Sequence, residues 1–177
     1  RFIERKNLQF LIEAFSIYRQ QASPEKQYDL VLLGDGELRN SLQSLSKEKG
    51  LNHAVHFPGF VSYHEICNWY AAASVFVHPA LSEQWGLVVN EAMAAGLPTL
   101  VSSACGCVPD LVKDGETGFT FDPNCLEDLV RKMLAIGESV DLRDSLGRNA
   151  REHVARSFSA DEFGKGLVKA IESCNES

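Results

Sequence analysis

The stretch that decides the fold covers residues 74–102 and reads SVFVHPALSEQWGLVVNEAMAAGLPTLVS. It begins and ends with short apolar runs, Ser74–His78 and Pro98–Ser102, which are bounded by turn residues and predict two buried strands. The segment between them predicts a helix from about Gly86 to Ala95. A helix that joins two neighbouring strands leaves them parallel, so this stretch predicts one unit of a doubly wound, Rossmann-like α/β sheet.

The same alternation of strands and helices continues on both sides of this stretch. Upstream, apolar residues at helical spacing predict a first helix that follows Asn7 and ends before Ser23. No internal repeat and no linker rich in Gly, Ser or Pro divides the chain, so we expect one domain with one parallel sheet over residues 1–177. The other predicted elements are strands at Tyr28–Leu33, Val55–Phe57 and Gly118–Phe121, and helices at about Leu38–Gly50, Ile66–Ala73, Leu126–Leu134, Leu142–Ala155 and Ala160–Ser173.

The composition limits the classes of protein and partner. Of the 177 residues, 45% are apolar and 23% are charged, which is typical of a globular domain and excludes a disordered or collagen-like chain. The formal net charge is −7 without a long run of either sign, and a negative field repels a phosphate backbone, so we expect no nucleic-acid partner. No stretch approaches the roughly 18 apolar residues of a membrane span, so we expect no membrane contact through this domain.

The cysteines and the first residues indicate the compartment and the context of the chain. Five scattered cysteines are typical of reduced thiols rather than of a disulfide framework, so we expect a cytoplasmic location. The Cys105-x-Cys107 pair lacks the second pair of ligands that a zinc site needs, and we expect no metal. Residues 1–6 read RFIERK, without an initiator Met or a signal-peptide pattern, so we expect the chain to be part of a longer one.

A parallel sheet of this class binds its ligand at the carboxyl ends of the strands, where loops lead into helices. Four loops are therefore candidates, and they lie around Lys6, at Gly34–Gly36, at Gly59–Val61 and at Ala80–Gly86. We expect the functional residues to come from these loops and from the helix starts that follow them.

The helix that opens at Gly86 carries the clearest signal for ligand chemistry. Its first free N–H groups, on Gly86, Leu87 and Val88, can bind a phosphate without any side chain, and Gly86 lets a ligand approach the backbone. Glu91 lies about one turn further on and leans back over the same site, where a carboxylate suits the vicinal hydroxyls of a ribose. Glu83 precedes the helix and would face a sugar attached to the phosphates. A solvated charge or a helix-dipole partner remains the alternative for either carboxylate.

Glu83 and Glu91 are separated by seven residues, and this pair resembles the E-x7-E motif of retaining GT-B glycosyltransferases, the glycosyltransferase group 1 family. Almost the whole chain agrees with the resemblance, because further similar segments occur in the family's order. These segments are the basic pair Arg1 and Lys6, the turns Gly34–Gly36 and Gly59–Val61, and the stretches Ala71–Pro79 and Asp114–Gly118.

The resemblance implies that residues 1–177 form the C-terminal, donor-binding half of a GT-B fold. This half would bind a nucleotide-diphospho-sugar, with UDP as the default nucleotide and no cofactor. The full-length hexosyltransferase would retain the anomeric configuration. Its acceptor, a glycan, a lipid-linked molecule or a small molecule, would bind to the other half beside the family's catalytic His, so the present chain alone is expected to be inactive. The implied catalytic residues are Arg1, Lys6 and Glu83, and the implied donor-binding residues are Gly34, Gly36, Val61, Glu83, Gly86, Leu87, Val88 and Glu91.

The chain departs from the family pattern at several positions. Gln84 and Trp85 stand for a usual Pro and Phe and leave the predicted helix start intact. Cys107 stands for a Gly and Asp110 for a Glu, which places a side chain where the family often has bare backbone beside the sugar.

Four other side chains are conspicuous but receive no catalytic role. His78 ends a predicted strand, where it is structural or lines the ligand, and His64 lies on a helix and is expected to be solvated. Trp69 and Tyr70 occur at helical spacing and are interpreted as core residues. We assign proton transfer to neither histidine.

The same residues bear on four other functions. An NAD-binding module is disfavoured, because Gly34-x-Gly36-x-x-Arg39 lacks a third glycine and no acidic residue follows at about 20 residues' distance. A nucleotide-sugar epimerase on the same scaffold would not need Lys6 together with Glu83, and a phosphorylase relative would need a lysine placed for pyridoxal phosphate. A non-catalytic nucleotide- or sugar-binding module remains open.

Overall fold

The structure, a computed structural model, describes residues 1–175, apart from the side chains of five residues in the last helix. Strands and helices alternate along the chain in the predicted order. Short 3-10 helices at Glu4–Lys6 and Pro24–Lys26 flank the first helix. The elements are α1 (Leu8–Gln21), β1 (Leu30–Leu33), α2 (Arg39–Glu48), β2 (Val55–Gly59), α3 (Tyr63–Ala72), β3 (Phe76–His78), α4 (Leu87–Ala94), β4 (Thr99–Ser102), α5 (Val108–Leu111), β5 (Gly118–Phe121), α6 (Leu126–Glu138), α7 (Val140–Ser157) and α8 (Ala160–Asn175).

All paired strands are parallel, as predicted, but they form two sheets rather than one. β1 pairs with β2, and β3, β4 and β5 pair in that order. The expected single sheet is interrupted between β1 and β3, where a cavity of about 580 Å³ lies against both strands. Each pair of neighbouring strands is connected through a helix, namely α2, α4 or α5, as parallel pairing requires.

Two clusters of buried apolar residues hold the layers together. The larger one joins α1, α2 and α6 to the sheets and includes Ile12, Leu42 and Leu129, each fully buried. The smaller one packs α4, β4 and α5 around Met93 and Val101. Full burial of a side chain of this size contributes about 1.5–3 kcal/mol relative to an exposed one. These clusters fix the helices whose ends form the site.

Three strands, β1, β3 and β4, are shorter than predicted, and one helix was missed. Tyr28 donates its N–H group to the Lys26 carbonyl, so it belongs to a turn and not to β1. β3 starts at Phe76 because its partner in β4 starts at Thr99. α5 has only four residues and contains a proline in its first turn. Such a short helix shows no helical spacing of apolar residues, so the sequence pattern does not predict it.

No helix among residues 1–175 is long and apolar enough to cross a membrane.

Candidate functional site

The predicted site loops meet at the carboxyl ends of β1, β2 and β3. Phe2 donates its N–H group to the Asp35 carbonyl at 2.9 Å, and Gly34 donates to the Gly59 carbonyl at 2.8 Å. A third backbone hydrogen bond runs from Leu81 to the Arg5 carbonyl at 2.9 Å and joins the first residues to the loop after β3. The four loops that the sequence indicated are thus held in one place by backbone bonds, independently of their side chains.

Lys6 and Glu83 form an ion pair at the centre of this group of loops. The Lys6 Nζ donates a hydrogen bond to Glu83 Oε2, and the two side chains are only 22% and 15% exposed. The hydrogen bond from Lys6 lowers the pKa of Glu83, and the positive field of Lys6 and Arg5 adds to it, against a smaller opposing effect of burial. Glu83 is therefore ionised at neutral pH and holds Lys6 in a fixed position.

His78 is buried beside this pair. Its Nε2 lies 3.8 Å from Glu83 Oε2, which is too far for a hydrogen bond, and has no other partner among the described residues. Burial lowers the pKa of His78 to about 4, and the charge of Lys6 acts in the same direction. His78 therefore presents a neutral imidazole with a free nitrogen next to the ion pair, in agreement with a structural or ligand-lining residue.

Gly86 brings the backbone of α4 close to the same place. Its φ of 101° lies in the left-handed region, and a Cβ there would meet Glu83 Cγ at 3.4 Å and His78 Nε2 at 3.6 Å. Any other residue would be strained and would fill the space between these side chains. Glycine is thus required both by the turn and by the close packing.

No side chain caps the N-terminus of α4. Gly86 is the N-cap residue, and the first turn of the helix contains no acidic residue. The N–H groups of Leu87 and Val88 belong to the first turn and have no acceptor within the helix, whereas Val89 donates its N–H group to the Gly86 carbonyl at 2.8 Å. This eight-residue helix therefore offers donors and a positive dipole end beside Lys6.

Glu91 lies one turn along α4 and forms a hydrogen bond with a residue of α3. The Tyr70 hydroxyl donates a hydrogen bond of 2.9 Å to Glu91 Oε2. Burial, together with this bond to Glu91, raises the pKa of Tyr70, so the hydroxyl stays protonated and remains a donor. The sequence interpretation of Tyr70 as a core residue was wrong, because α3 has no fully buried residue and Tyr70 is half-buried with its polar end at the site.

The glycine loop after β1 makes room for the first residues of the chain. A Cβ on Gly36 would lie 2.5 Å from the Phe2 carbonyl oxygen, so only glycine leaves room for the backbone of Phe2. Gly34 has a φ of 114°, and a Cβ there would lie 3.7 Å from the Arg1 backbone nitrogen. The loop therefore seats the first residues of the chain, and Arg1 comes to lie beside Gly34.

The remaining predicted residues border this centre less closely. Val61 is half-exposed in the loop after β2, beside Phe60, whose side chain is 75% exposed. Val88 lines the cavity between the sheets together with Arg1 and Lys6. The geometry therefore places both Lys6 and Gly86 next to Glu83, whereas Val61 lies at the rim.

The loop between β4 and α5 is hydrogen-bonded to the backbone of Glu83. Gly106 donates its N–H group to the Glu83 carbonyl at 2.9 Å, and a side chain at Gly106 would collide with the Gln84 carbonyl. Cys107 does not intrude into the site, because its side chain is fully buried in the smaller core cluster with Leu111. Burial raises the pKa of the neighbouring Cys105 to about 12, so its thiol stays protonated.

The model of the family "Glycosyl transferases group 1" matches residues 1–153 of the chain. The sulfoquinovosyl transferase SQD2 of Arabidopsis thaliana is 35% identical over 130 residues, which cover 72% of this chain and 24% of that protein. The D-inositol 3-phosphate glycosyltransferase of Paenarthrobacter aurescens is 32% identical over 169 residues, covering 94% of this chain and 39% of that protein. The chain thus spans less than half the length of these curated relatives.

Solved structures agree with the fold. The C-terminal domain of the glycosyl transferase group 1 family protein LpcC from Francisella tularensis has a TM-score of 0.81 and 25% identity, covering 90% of this chain and 83% of that chain. Anabaena Alr3699/HepE, solved in complex with UDP-glucose, has a TM-score of 0.83 and 26% identity, covering 98% of this chain and 47% of that chain.

Proposed function

The chain belongs to the glycosyl transferases group 1 family, and from that premise we propose that it is the donor-binding, C-terminal domain of a two-domain glycosyltransferase. The observation that carries this proposal is the Lys6–Glu83 ion pair beside the uncapped N-terminus of α4. One structural relative was solved as an isolated C-terminal domain, and this chain matches most of its length. The free thiols of Cys67, Cys105, Cys107 and Cys125 agree with a cytoplasmic enzyme.

The diphosphate of the donor would bind at the start of α4. The N–H groups of Leu87 and Val88 supply uncharged donors, and Lys6 and Arg1 supply positive charge from the opposite side. Because Glu83 holds the Lys6 ammonium on one side only, the ammonium keeps two further donors for phosphate oxygens. Binding would therefore add a second anion to an existing ion pair and would not require Lys6 to change position.

The ribose would bind to Glu91. Tyr70 occupies one lone pair of Oε2 and leaves Oε1 for the vicinal 2′- and 3′-hydroxyls. A carboxylate at this distance from the helix start repels a phosphate but accepts two hydroxyl donors. We take UDP as the nucleotide, because Anabaena Alr3699/HepE, which is 26% identical, was solved with UDP-glucose.

The sugar would then lie against the neighbouring Glu83 and His78 side chains, whose Oε2 and Nε2 atoms are 3.8 Å apart. Ionised Glu83 accepts hydrogen bonds from sugar hydroxyls and stabilises positive charge on the ring. Neutral His78 offers its free nitrogen to the same ligand. Gly106 holds the Glu83 backbone and Lys6 holds its carboxylate, so the position of Glu83 does not depend on the ligand.

The reaction that this arrangement supports is transfer with retention of the anomeric configuration. A double displacement needs a nucleophilic carboxylate and a second acid near the sugar, and Glu91 is engaged with Tyr70 and the ribose. We therefore infer attack from the face of the leaving group, with the departing diphosphate accepting the proton of the acceptor. Lys6 and Arg1 would stabilise the charge that grows on the diphosphate in the transition state.

The acceptor and its binding groups would come from the other domain, so residues 1–177 alone would bind the donor without transferring the sugar. A calorimetric titration of the chain with UDP, GDP, ADP and CDP tests the proposal. At a free concentration of one hundred times its Kd, the preferred nucleotide should also raise the free energy of unfolding by about 2.7 kcal/mol. Lack of binding by every nucleoside diphosphate at millimolar concentration would contradict the proposed function.

A further inference from the structure

Residues 83–86, the donor turn, carry a tryptophan that the proposed donor site does not use. Trp85 directly precedes Gly86, and its half-buried side chain packs against the smaller core cluster, as Val108 of α5 and Val154 of α7 also do. The indole therefore connects the donor turn with the helices that support the site.

The orientation of the indole is fixed by α4. Trp85 Nε1 donates a hydrogen bond of 2.8 Å to Asn90 Oδ1, one turn into the helix and directly before Glu91. A phenylalanine at position 85 would lack this donor. The bond holds the ring against the same helix whose first N–H groups are proposed to bind the diphosphate.

The indole also contacts an aromatic residue at the junction of α7 and α8. The rings of Trp85 and Phe158 have their centroids 6.2 Å apart and their planes at 53°. Phe158 closes α7 by donating its N–H group to the Val154 carbonyl at 3.0 Å, and the next residue, Ser159, accepts the N–H group of Glu162 at the start of α8. Aromatic pairs at this distance attract each other beyond the area that they bury. The junction is thus attached to the donor turn through two rings.

A third ring keeps Phe158 in place. His153 of α7 packs edge-on against Phe158, with ring centroids 5.8 Å apart at 73°. Its Nε2 lies 2.8 Å from the Asp110 carbonyl oxygen, and because a carbonyl only accepts, this nitrogen carries the hydrogen. The position of Phe158 is therefore set from α5 and α7, independently of the donor turn.

Phe158 is a surface contact and not a core residue. Its side chain is 36% exposed, and Leu167, Val168 and Ile171 of the following helix are each more than half exposed. Truncating a side chain at such a surface costs the fold little compared with truncation in the core. An effect of Phe158 on the donor turn can therefore be separated from unfolding.

We propose that Trp85 is a positioning residue for the donor site, which ties the donor turn to Phe158 at the junction of α7 and α8. This inference rests on the proposed function, because the turn that it positions is the one proposed to bind the diphosphate. Two hydrogen-bonded amides report on the turn: Gly106 donates to the Glu83 carbonyl at 2.9 Å, and Val89 donates to the Gly86 carbonyl at 2.8 Å. Without the Phe158 ring, both bonds would open more often.

The size of the effect follows from the aromatic contact. The free energy of one such pair corresponds to a change of roughly three- to tenfold in an equilibrium constant. Opening of the donor turn should increase by this factor. A ligand that requires the seated turn loses affinity in proportion to the seated population, so its loss stays within the same factor.

Three variants of the chain test the proposal at a distance from the ligand. Phe158→Ala removes the ring, and Phe158→Tyr restores it with a hydroxyl that can reach water. Leu167→Ala is the matched control, since it shortens another exposed apolar side chain near the junction. Amide hydrogen exchange is measured by NMR without ligand, and UDP and pyrophosphate are then titrated by calorimetry.

Phe158→Ala should speed exchange of the Val89 and Gly106 amides roughly three- to tenfold. Exchange of the Leu30 amide, which donates to the Ala54 carbonyl in the other sheet, should stay unchanged. The affinities for UDP and pyrophosphate should fall together, because the turn and not the ribose is disturbed. Phe158→Tyr should restore both properties, and Leu167→Ala should resemble the wild type.

A double variant assigns the effect to Trp85. In a Trp85→Leu background, which keeps an apolar side chain without the ring, exchange at Val89 and Gly106 should already be fast. Adding Phe158→Ala should then change it by less than about twofold, because the contact is already lost. Additive effects of the two substitutions would contradict a coupling through these rings.

Wild-type exchange at Val89 and Gly106 in Phe158→Ala would overturn the proposal, and so would equal acceleration at Leu30, which indicates a general loss of stability. Unchanged affinity for a ligand that the wild type binds would also overturn it. If neither ligand binds to the wild type, the proposed function fails, and the exchange data alone decide whether Phe158 and Trp85 hold the turn.

Discussion

Replacing Glu91 by Ala should weaken UDP binding more than tenfold and leave pyrophosphate binding nearly unchanged. In the structure Glu91 contacts Tyr70 and lies one helical turn beyond the Leu87 and Val88 donors, so it is placed for a ribose and not for phosphates. Each hydrogen bond to a charged group contributes about 1.5–3 kcal/mol. Two ribose hydroxyls therefore account for more than the roughly 1.4 kcal/mol that a tenfold change requires, even after partial compensation by water.

Calorimetry with UDP, 2′,3′-dideoxy-UDP and pyrophosphate measures this effect on the wild type and on Glu91→Ala. Removing the hydroxyls should cost the wild type about as much as removing the carboxylate, and the variant should not distinguish UDP from its dideoxy analogue. Tyr70→Phe is the matched control, since it keeps the carboxylate and loses only the bond that orients it, and it should give an intermediate loss. Equal losses for UDP and pyrophosphate in Glu91→Ala would refute the ribose assignment.

Three further predictions concern the residues around the ion pair. Gly36→Ala should lower the free energy of unfolding, measured in urea titrations, by at least about 1 kcal/mol, because the added Cβ would collide with the Phe2 carbonyl. The control is Gly164→Ala, because a Cβ at Gly164 meets no other atom. Stability should fall as the pH is lowered from 6.5 towards 4, because unfolded His78 takes up a proton that the folded protein excludes; His78→Gln should lack this component. In the full-length enzyme, Glu83→Gln should lower turnover without changing the anomer, and NMR of the product would expose an inverted sugar.

The strand and helix order could be predicted from the sequence because it rests on local patterns. The apolar runs of β4 and β5 and the helical period of α6 are such patterns, and the structure confirms them. The division into two sheets was not predicted, because it depends on which strands lie next to each other in the folded chain. The spacing of apolar residues along the sequence carries no information about this. The meeting of the four candidate loops at one edge could be predicted from the parallel sheet alone.

The contacts of the site were only partly accessible to sequence reasoning. Glu83 was assigned to a sugar and Lys6 to phosphates, but their direct pairing across 77 residues is visible only in the folded chain. Tyr70 was assigned to the core because its position on the predicted helix matches the apolar face. Helical spacing does not distinguish a half-buried aromatic residue from a fully buried one. Gly36 was read as a ligand-binding glycine, whereas the structure shows that it also seats Phe2.

The central claim is that a nucleoside diphosphate binds at the start of α4 with its phosphates on the backbone N–H groups. The most direct measurement follows the backbone amide signals of Gly86, Leu87 and Val88 by NMR during titration with UDP and with pyrophosphate. Both ligands should shift the Leu87 and Val88 signals together with the Lys6 side-chain signal, and only UDP should also shift those of Glu91 and Tyr70. Saturable UDP binding that leaves the Leu87 and Val88 signals unchanged would contradict the account.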